Sequence, residues 1–119
     1  MEFDEYQTKA RKTAIYPEVG NNLIYTVLGL AGEAGEMANK VKKLIRKYNF
    51  KQGDSIYNLP VGLIKELRDE LGDVGWYYVM TAFELKSLAD DIAGDNLRKL
   101  SKRSIDNEII DHDQVVHKV

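Results

Sequence analysis

Residues 23–48 read LIYTVLGLAGEAGEMANKVKKLIRKY, and this stretch decides the fold. It contains no proline, and the Asn21-Asn22 pair before it can cap the first turn of a helix. The pattern predicts a long amphipathic helix that ends near Tyr48. In a helical projection the apolar residues share one stripe, the predicted core face, which comprises Leu23, Val27, Leu30, Ala34, Met37, Val41, Leu44 and Tyr48.

Three further helices are predicted around this stretch, between proline and glycine breakers. The first spans Phe3 to about Ala14, the third follows Pro60 to about Lys86, and the fourth runs from Leu88 to about Arg103 with Ser87 as its cap. The sequence therefore predicts an all-α fold, a four-helix bundle-like subunit with two long central helices. We expect one helical domain over 1–103 and a C-terminal tail over 104–119 that has no clear periodicity.

Composition excludes several classes of protein. The 119 residues suit one domain, and 17 Lys and Arg against 19 Asp and Glu argue against a nucleic-acid polymer as partner. The absence of cysteine excludes disulfides, thiolate metal sites and cysteine nucleophiles. Because the sequence shows no targeting segment and no apolar run of the roughly 20 residues that span a bilayer, we expect a cytoplasmic protein with no membrane partner.

Two acidic pairs are the chemical signal of the sequence, Glu33-x-x-Glu36 and Glu70-x-x-Asp73. The spacing directs both carboxylates of a pair off one helix turn, and both pairs border an apolar stripe. Packing the two long helices together would therefore crowd four carboxylates, which a hard divalent cation would neutralise. All-oxygen ligation favours Mg²⁺, with Mn²⁺ as a substitute. The alternative is a solvated charged face, because acidic pairs with this spacing also arise by chance.

Basic residues near these acids suggest a phosphate-containing substrate. Lys40, Lys43 and Lys47 follow Glu36 down the second helix, within reach of phosphates anchored on a metal. Alternatively, they are an ordinary lysine-rich helix end that complements the dipole. A second group on the fourth helix comprises the inward-facing Asn96 with Lys99 and Arg103, which could also be a routine helix terminus. The only histidines, at positions 112 and 117, fall in the tail, where we expect solvent exposure.

Three strings together resemble the MazG-like all-α nucleoside triphosphate pyrophosphohydrolases: GLAGEAGE at 29–36, KELRDELGDVGWY at 65–77 and NLRKL at 96–100. The resemblance extends from Tyr6 to Arg103. It implies Mg²⁺-dependent conversion of an NTP or dNTP to the monophosphate and pyrophosphate. The long polar segment 48–59 and the tail from Ser104 depart from the family pattern, which leaves the choice of substrate open.

The resemblance also implies roles for single residues. Glu33, Glu36, Glu70 and Asp73 match the metal ligands, Asn96 and Lys99 match residues near the substrate, and we assign Glu36 as the group that orients or deprotonates water. The resemblance also implies a dimer or a tetramer. Because apolar residues at 76–80 surround the third helix, we expect a homo-oligomer. Trp76 could serve core packing, a subunit interface or base stacking.

Two other functions remain compatible with the sequence. One is a non-enzymatic helical interaction module, whose acids would be solvated and whose behaviour would not depend on Mg²⁺. The other is a nucleotide-binding sensor without turnover.

Overall fold

The computed structural model describes residues 1–110 of the chain, and the tail histidines at 112 and 117 lie outside the described residues. Within that range all regular structure is helical, which confirms the predicted all-α class. The four helices are α1 (Phe3–Arg11), α2 (Leu23–Tyr48), α3 (Val61–Glu84) and α4 (Ala89–Ile110), and a short 3₁₀ turn (Ile56–Asn58) lies between α2 and α3.

The predicted helix boundaries hold best at α2, where both ends are confirmed. Asn22 caps this helix, because its side-chain oxygen accepts a hydrogen bond from the backbone N–H of Tyr25 at 3.2 Å. α1 and α3 end two or three residues earlier than predicted. α4 continues past the predicted end at Arg103, so residues 104–110 of the expected tail are helical.

The start of α4 corrects the prediction that Ser87 is its cap. The Ser87 hydroxyl donates to the carbonyl of Leu85, and the helix begins two residues later, at Ala89. The free N–H groups of Ala89 and Asp90 donate to the side chains of Gln7 and Asp4, each at 3.0 Å. α1 therefore caps α4 from outside the helix, through contacts distant in sequence that a local capping rule does not find.

The two long helices lie antiparallel, with Gly29 beside Tyr77 and Lys40 beside Glu70. The main hydrophobic core lies elsewhere, where α1 and α4 pack on the second half of α3. It is built around Val79 and Met80, both fully buried. Its other buried members are Ala10, Tyr16 and Ala89.

The predicted core stripe of α2 is largely uncovered, which corrects that prediction for the single chain. Of its eight residues only Leu44 is buried, whereas Leu23, Val27 and Val41 are exposed. The radius of gyration, 18.1 Å, exceeds the roughly 14 Å of a compact chain of this length. One chain alone therefore leaves much of its apolar surface in solvent. None of the described helices is long and apolar enough to cross a membrane.

A buried carboxylate joins the end of α3 to the start of α2. Glu84 accepts hydrogen bonds from the Tyr16 hydroxyl and from the backbone N–H groups of Gly20 and Asn22, the latter two at 2.7 Å. This contact fixes the connection between α1 and α2, and so the position from which α2 runs toward the acidic residues.

Candidate metal centre

Three carboxylates from the two long helices meet at their interface. Glu33 comes from α2, and Glu70 and Asp73 come from α3. One oxygen atom of each lies within 4.8 Å of the others. The antiparallel packing of α2 and α3 therefore brings Glu33 of the first acidic pair together with both residues of the second, and we call these three residues the acid cluster.

Glu70 is the most buried member of the acid cluster, with 7% of its surface exposed. Its Oε2 atom accepts a hydrogen bond from the Lys40 ammonium group at 3.3 Å. Its Oε1 atom is buried and has no hydrogen-bond partner among the described residues. Because a buried polar atom without a partner costs roughly 1 to 3 kcal/mol, a cation or a hydrogen-bond donor at this oxygen would stabilise the fold.

The electrostatics of the acid cluster favour a cation. The pKa of Glu33 is raised, first because its protonated form can hydrogen-bond to Glu70, then by burial and by the negative charges of Glu70, Asp73 and Glu36. Ionising all of these groups together is therefore unfavourable without a positive charge between them. The donor set is entirely oxygen, which fits a hard divalent cation such as Mg²⁺ or Mn²⁺.

Glu36, the fourth predicted ligand, lies outside the acid cluster. Its side chain is exposed on α2, one turn beyond Glu33. Its charge still contributes to the raised pKa of Glu33, so the two carboxylates lie near each other. Asp73 is also exposed, so the acid cluster is open to solvent at this carboxylate.

A cavity of about 250 Å³ lies between α2 and α3, beside the acid cluster. The structure places Lys40 and Lys43, both predicted to contact substrate, in its wall together with Lys47. Lys40 belongs to both features, because it lines the cavity and contacts Glu70. The remaining wall consists of Leu44, Tyr48, Leu63, Glu66 and Leu67.

The predicted substrate residues of α4 are not brought to the acid cluster within the described chain. Asn96, Lys99 and Arg103 are exposed, and the described hydrogen bonds and ion pairs do not join them to the acids. The prediction that Asn96 faces inward is therefore wrong for the single chain. α4 packs on α1 and α3, and beyond the buried Ala89 its apolar residues Ile92, Ala93 and Leu100 are only partly buried.

Trp76 is partly buried and packed inside the chain. Its indole N–H donates to the Thr13 hydroxyl at 2.9 Å. Its ring meets Tyr16 and Tyr77 edge to face, with centroids 6.3 and 5.0 Å away. These contacts are those of a packed side chain, which is one of the three roles predicted for Trp76.

Tyr77 is a site residue that sequence reasoning did not single out. Its pKa is raised, first by burial, then by Tyr25, and also by the charges of Glu33 and Asp73, so Tyr77 lies within the electrostatic influence of the acid cluster. The ring contacts α2 at Gly29, where an added Cβ would be 2.1 Å from a ring carbon. The available signal was the spacing: Tyr77 follows Asp73 by one helix turn.

Comparison with known proteins identifies relatives over most of the chain. The family model described as MazG nucleotide pyrophosphohydrolase domain matches residues 12–106. The "Gene 37 protein" of Mycobacterium phage L5, whose name states no activity, is 40% identical over 112 residues, which cover 87% of this chain and 89% of that protein. No solved structure matches the chain.

Proposed function

Since this chain belongs to the MazG nucleotide pyrophosphohydrolase family, we propose that it hydrolyses a nucleoside or deoxynucleoside triphosphate to the monophosphate and pyrophosphate. The observation that carries the proposal is the acid cluster, in which Glu33, Glu70 and Asp73 converge and one buried oxygen of Glu70 has no partner. An all-oxygen cluster of this kind suits a reaction whose substrate is a polyphosphate, because Mg²⁺ is commonly shared between carboxylates and phosphates.

The proposed cofactor is Mg²⁺, with Mn²⁺ as a substitute. Glu33, Glu70 and Asp73 would hold the ion, and the exposed Glu36 is near enough to Glu33 to join them. When bound, the ion supplies positive charge that neutralises the triphosphate and polarises the phosphoryl group under attack.

The proposed reaction consumes one water molecule for each triphosphate. The water oxygen forms a new bond to phosphorus, the bond between the α- and β-phosphates breaks, and pyrophosphate leaves. Glu36 is our candidate for the group that orients the water and takes its proton. Its exposed carboxylate accepts no hydrogen bond from the described residues, so it is free to accept one from water.

Cations of the chain would bind the phosphates. Lys40 and Lys43 lie beside the acid cluster, in the wall of the cavity between α2 and α3. Asn96, Lys99 and Arg103 lie exposed on α4, so their proposed contact with substrate requires a second copy of the chain. Trp76 would then contact the base through the edge that its packing leaves accessible.

The proposed assembly is a homo-oligomer, a dimer or a tetramer. Its support is the apolar face of α2, where Ile24 and Leu28 are 74% and 67% exposed, together with the extended shape of one chain. Exposed apolar residues in a contiguous helical face commonly mark a protein interface. Light scattering at micromolar concentration should give a multiple of 13.6 kDa, and a monomer would contradict the assembly.

Turnover of a set of NTPs and dNTPs with Mg²⁺ tests the proposed activity, with pyrophosphate and inorganic phosphate measured separately. We expect pyrophosphate and monophosphate in equal amounts, full inhibition by EDTA and partial recovery with Mn²⁺. Inorganic phosphate and diphosphate as first products would contradict the proposal. Nucleotide binding without turnover would favour the sensor, and indifference to both nucleotide and Mg²⁺ would favour the interaction module.

A further inference from the structure

The cavity between α2 and α3 opens to solvent and carries more positive than negative charge. Lys40, Lys43 and Lys47 follow each other at three- and four-residue spacing, so all three ammonium groups leave the same side of α2. The opposite wall from α3 is mainly apolar, with Leu63 and Leu67. Its only described carboxylate is Glu66, which leaves an excess of positive charge.

Two of the three lysines in this cavity form no ion pair within the described chain, whereas Lys40 pairs with Glu70 at 3.3 Å. Elsewhere in the described chain Lys9 and Lys65 pair with acids on their own helices, at 3.1 and 2.9 Å. Lys43 and Lys47 form no ion pair with a described carboxylate, and the Lys47 ammonium lies 5.7 Å from the centre of the Tyr48 ring. Lys43 and Lys47 are exposed, so what distinguishes them from other surface lysines is that they share one side of α2 beside the acid cluster and can act on one anion together.

The cavity continues directly from the acid cluster. Lys40 lines the cavity and donates to Glu70, so a ligand can contact both features at once. Lys40 and Lys47 are separated by about 10 Å along the helix axis. A row of cations of this length suits an extended anion with several charges better than a single carboxylate.

We propose that this cavity binds the β- and γ-phosphates of the substrate, the part that leaves as pyrophosphate. This inference rests on the proposed function and adds a direction to it: the α-phosphate lies at the acid cluster, and the rest of the triphosphate extends along α2 toward Lys47. Lys47 is thus a further binding residue. The arrangement selects triphosphates, because a monophosphate leaves Lys43 and Lys47 without partners.

The test measures binding of inorganic pyrophosphate to the full chain by calorimetry, at saturating Mg²⁺ and without nucleotide. The variant carries Lys43→Gln and Lys47→Gln, and the matched control is Lys42→Gln, an exposed neighbour on α2 that does not line the cavity. We expect the double variant to bind pyrophosphate at least about tenfold more weakly, because it loses two charge-assisted contacts. The control should bind like wild type, and a nucleoside monophosphate should bind all three proteins equally.

Three results would overturn the proposal. They are equal pyrophosphate affinity in the double variant and wild type, no pyrophosphate binding by wild type at millimolar concentration, and loss of monophosphate affinity in the double variant. The last would place the nucleoside in the cavity. Thermal melting of each variant excludes a folding defect as the cause. Turnover of wild type is measured separately, so the cavity proposal can fail while the proposed activity stands.

Discussion

Two buried glutamates on α3 differ in how their charge is satisfied. Glu84 and Glu70 are 8% and 7% exposed. Glu84 accepts hydrogen bonds on both oxygens, from the Tyr16 hydroxyl and two backbone N–H groups. Glu70 has one lysine on Oε2 and nothing described on Oε1. Similar burial thus accompanies two different roles, and the hydrogen bonds, not the burial, tell them apart.

Two carboxylates, Glu84 and the Glu33 that lies beside Glu70, have pKa shifts of opposite direction. Burial is the largest influence on Glu84 and raises its pKa, but the hydrogen bonds from Tyr16, Asn22 and Gly20 together lower it below the ordinary value. Beside Glu70, the pKa of Glu33 is raised. The fold stabilises the Glu84 anion unaided, whereas the three carboxylates of the acid cluster have one described cationic partner, Lys40. Glu84 therefore joins α3 to the connection before α2, whereas in our proposal Glu70 is available to a cation.

The largest expected effect is the loss of activity in Glu70→Gln. Removing a buried ligand charge should reduce turnover by about 1,000-fold, comparable to the loss of a group that stabilises the transition state directly. It should also remove most of the stabilisation by Mg²⁺, about 2.7 kcal/mol at one hundred times the dissociation constant, which is several degrees of melting temperature. Without metal the variant should melt at or above the wild-type temperature, because crowding of like charges is relieved.

Asp69→Asn is the matched control for this prediction. Asp69 precedes Glu70 on α3 but is exposed and pairs with Lys65 at the surface. It should keep turnover and the Mg²⁺ response in the same melting and kinetic measurements. Full activity in Glu70→Gln would show that the two buried glutamates do not differ as proposed.

Glu84→Gln should lower the free energy of unfolding whether or not metal is present, unlike Glu70→Gln. The amide places an N–H₂ group at one of the two oxygen positions, where either the Asn22 N–H or the Gly20 N–H and Tyr16 hydroxyl donate. At least one hydrogen bond is therefore lost, and those that remain are no longer charge-assisted. We expect a loss of about 3 kcal/mol in the free energy of unfolding, measured by urea denaturation in EDTA. Glu18→Gln, in the same connection but exposed, should change it by less than about 0.5 kcal/mol. A fall in stability seen only with Mg²⁺ would contradict a structural role.

The sequence made one of these two glutamates predictable. Glu70 belongs to a spaced pair at the border of an apolar stripe, and the spacing together with the antiparallel packing of two long helices is enough to place it near Glu33. Glu84 has no such pattern. Its partners lie more than sixty positions earlier in the chain, and two of them are backbone groups of a connection that shows no periodicity.

The errors have a common physical cause. A helical projection finds apolar stripes but not what covers them, so it assigned Val27 and Val41 to a core that one chain does not supply. The same method predicted that Asn96 faces inward, although α4 packs mainly near its start. The capping rule missed Gln7 and Asp4 for the same reason, because those caps come from another helix. Periodicity is local, and covering a face requires contacts distant in sequence or a second copy.

A pH titration of stability should sharpen the contrast at Glu84. Its folded pKa is lower than the ordinary 4.5, so between the two values the unfolded chain binds more protons than the folded one. The stabilisation by Glu84 is therefore complete above about pH 4.5 and is lost as the pH falls through the lower folded value. The difference in unfolding free energy between wild type and Glu84→Gln, measured in EDTA from pH 7 to 3, should shrink across this window. A constant difference would show that the charge of Glu84 is not what stabilises the fold.

The smallest expected effect concerns Lys40, whose ammonium group partly replaces a metal ion at Glu70. Its ammonium group donates to Glu70 Oε2 at 3.3 Å and is about one-third exposed. Because this charge competes with a metal ion for the same carboxylate, Lys40→Gln should bind Mn²⁺ about three- to tenfold more tightly in the absence of nucleotide, as measured by electron paramagnetic resonance. Lys42→Gln removes an equal charge from the exposed side of α2 and should change the affinity less. Weaker Mn²⁺ binding in Lys40→Gln would mean that Lys40 holds Glu70 in place for the metal, and the contrast with the fully bonded Glu84 would then rest on positioning rather than on missing charge.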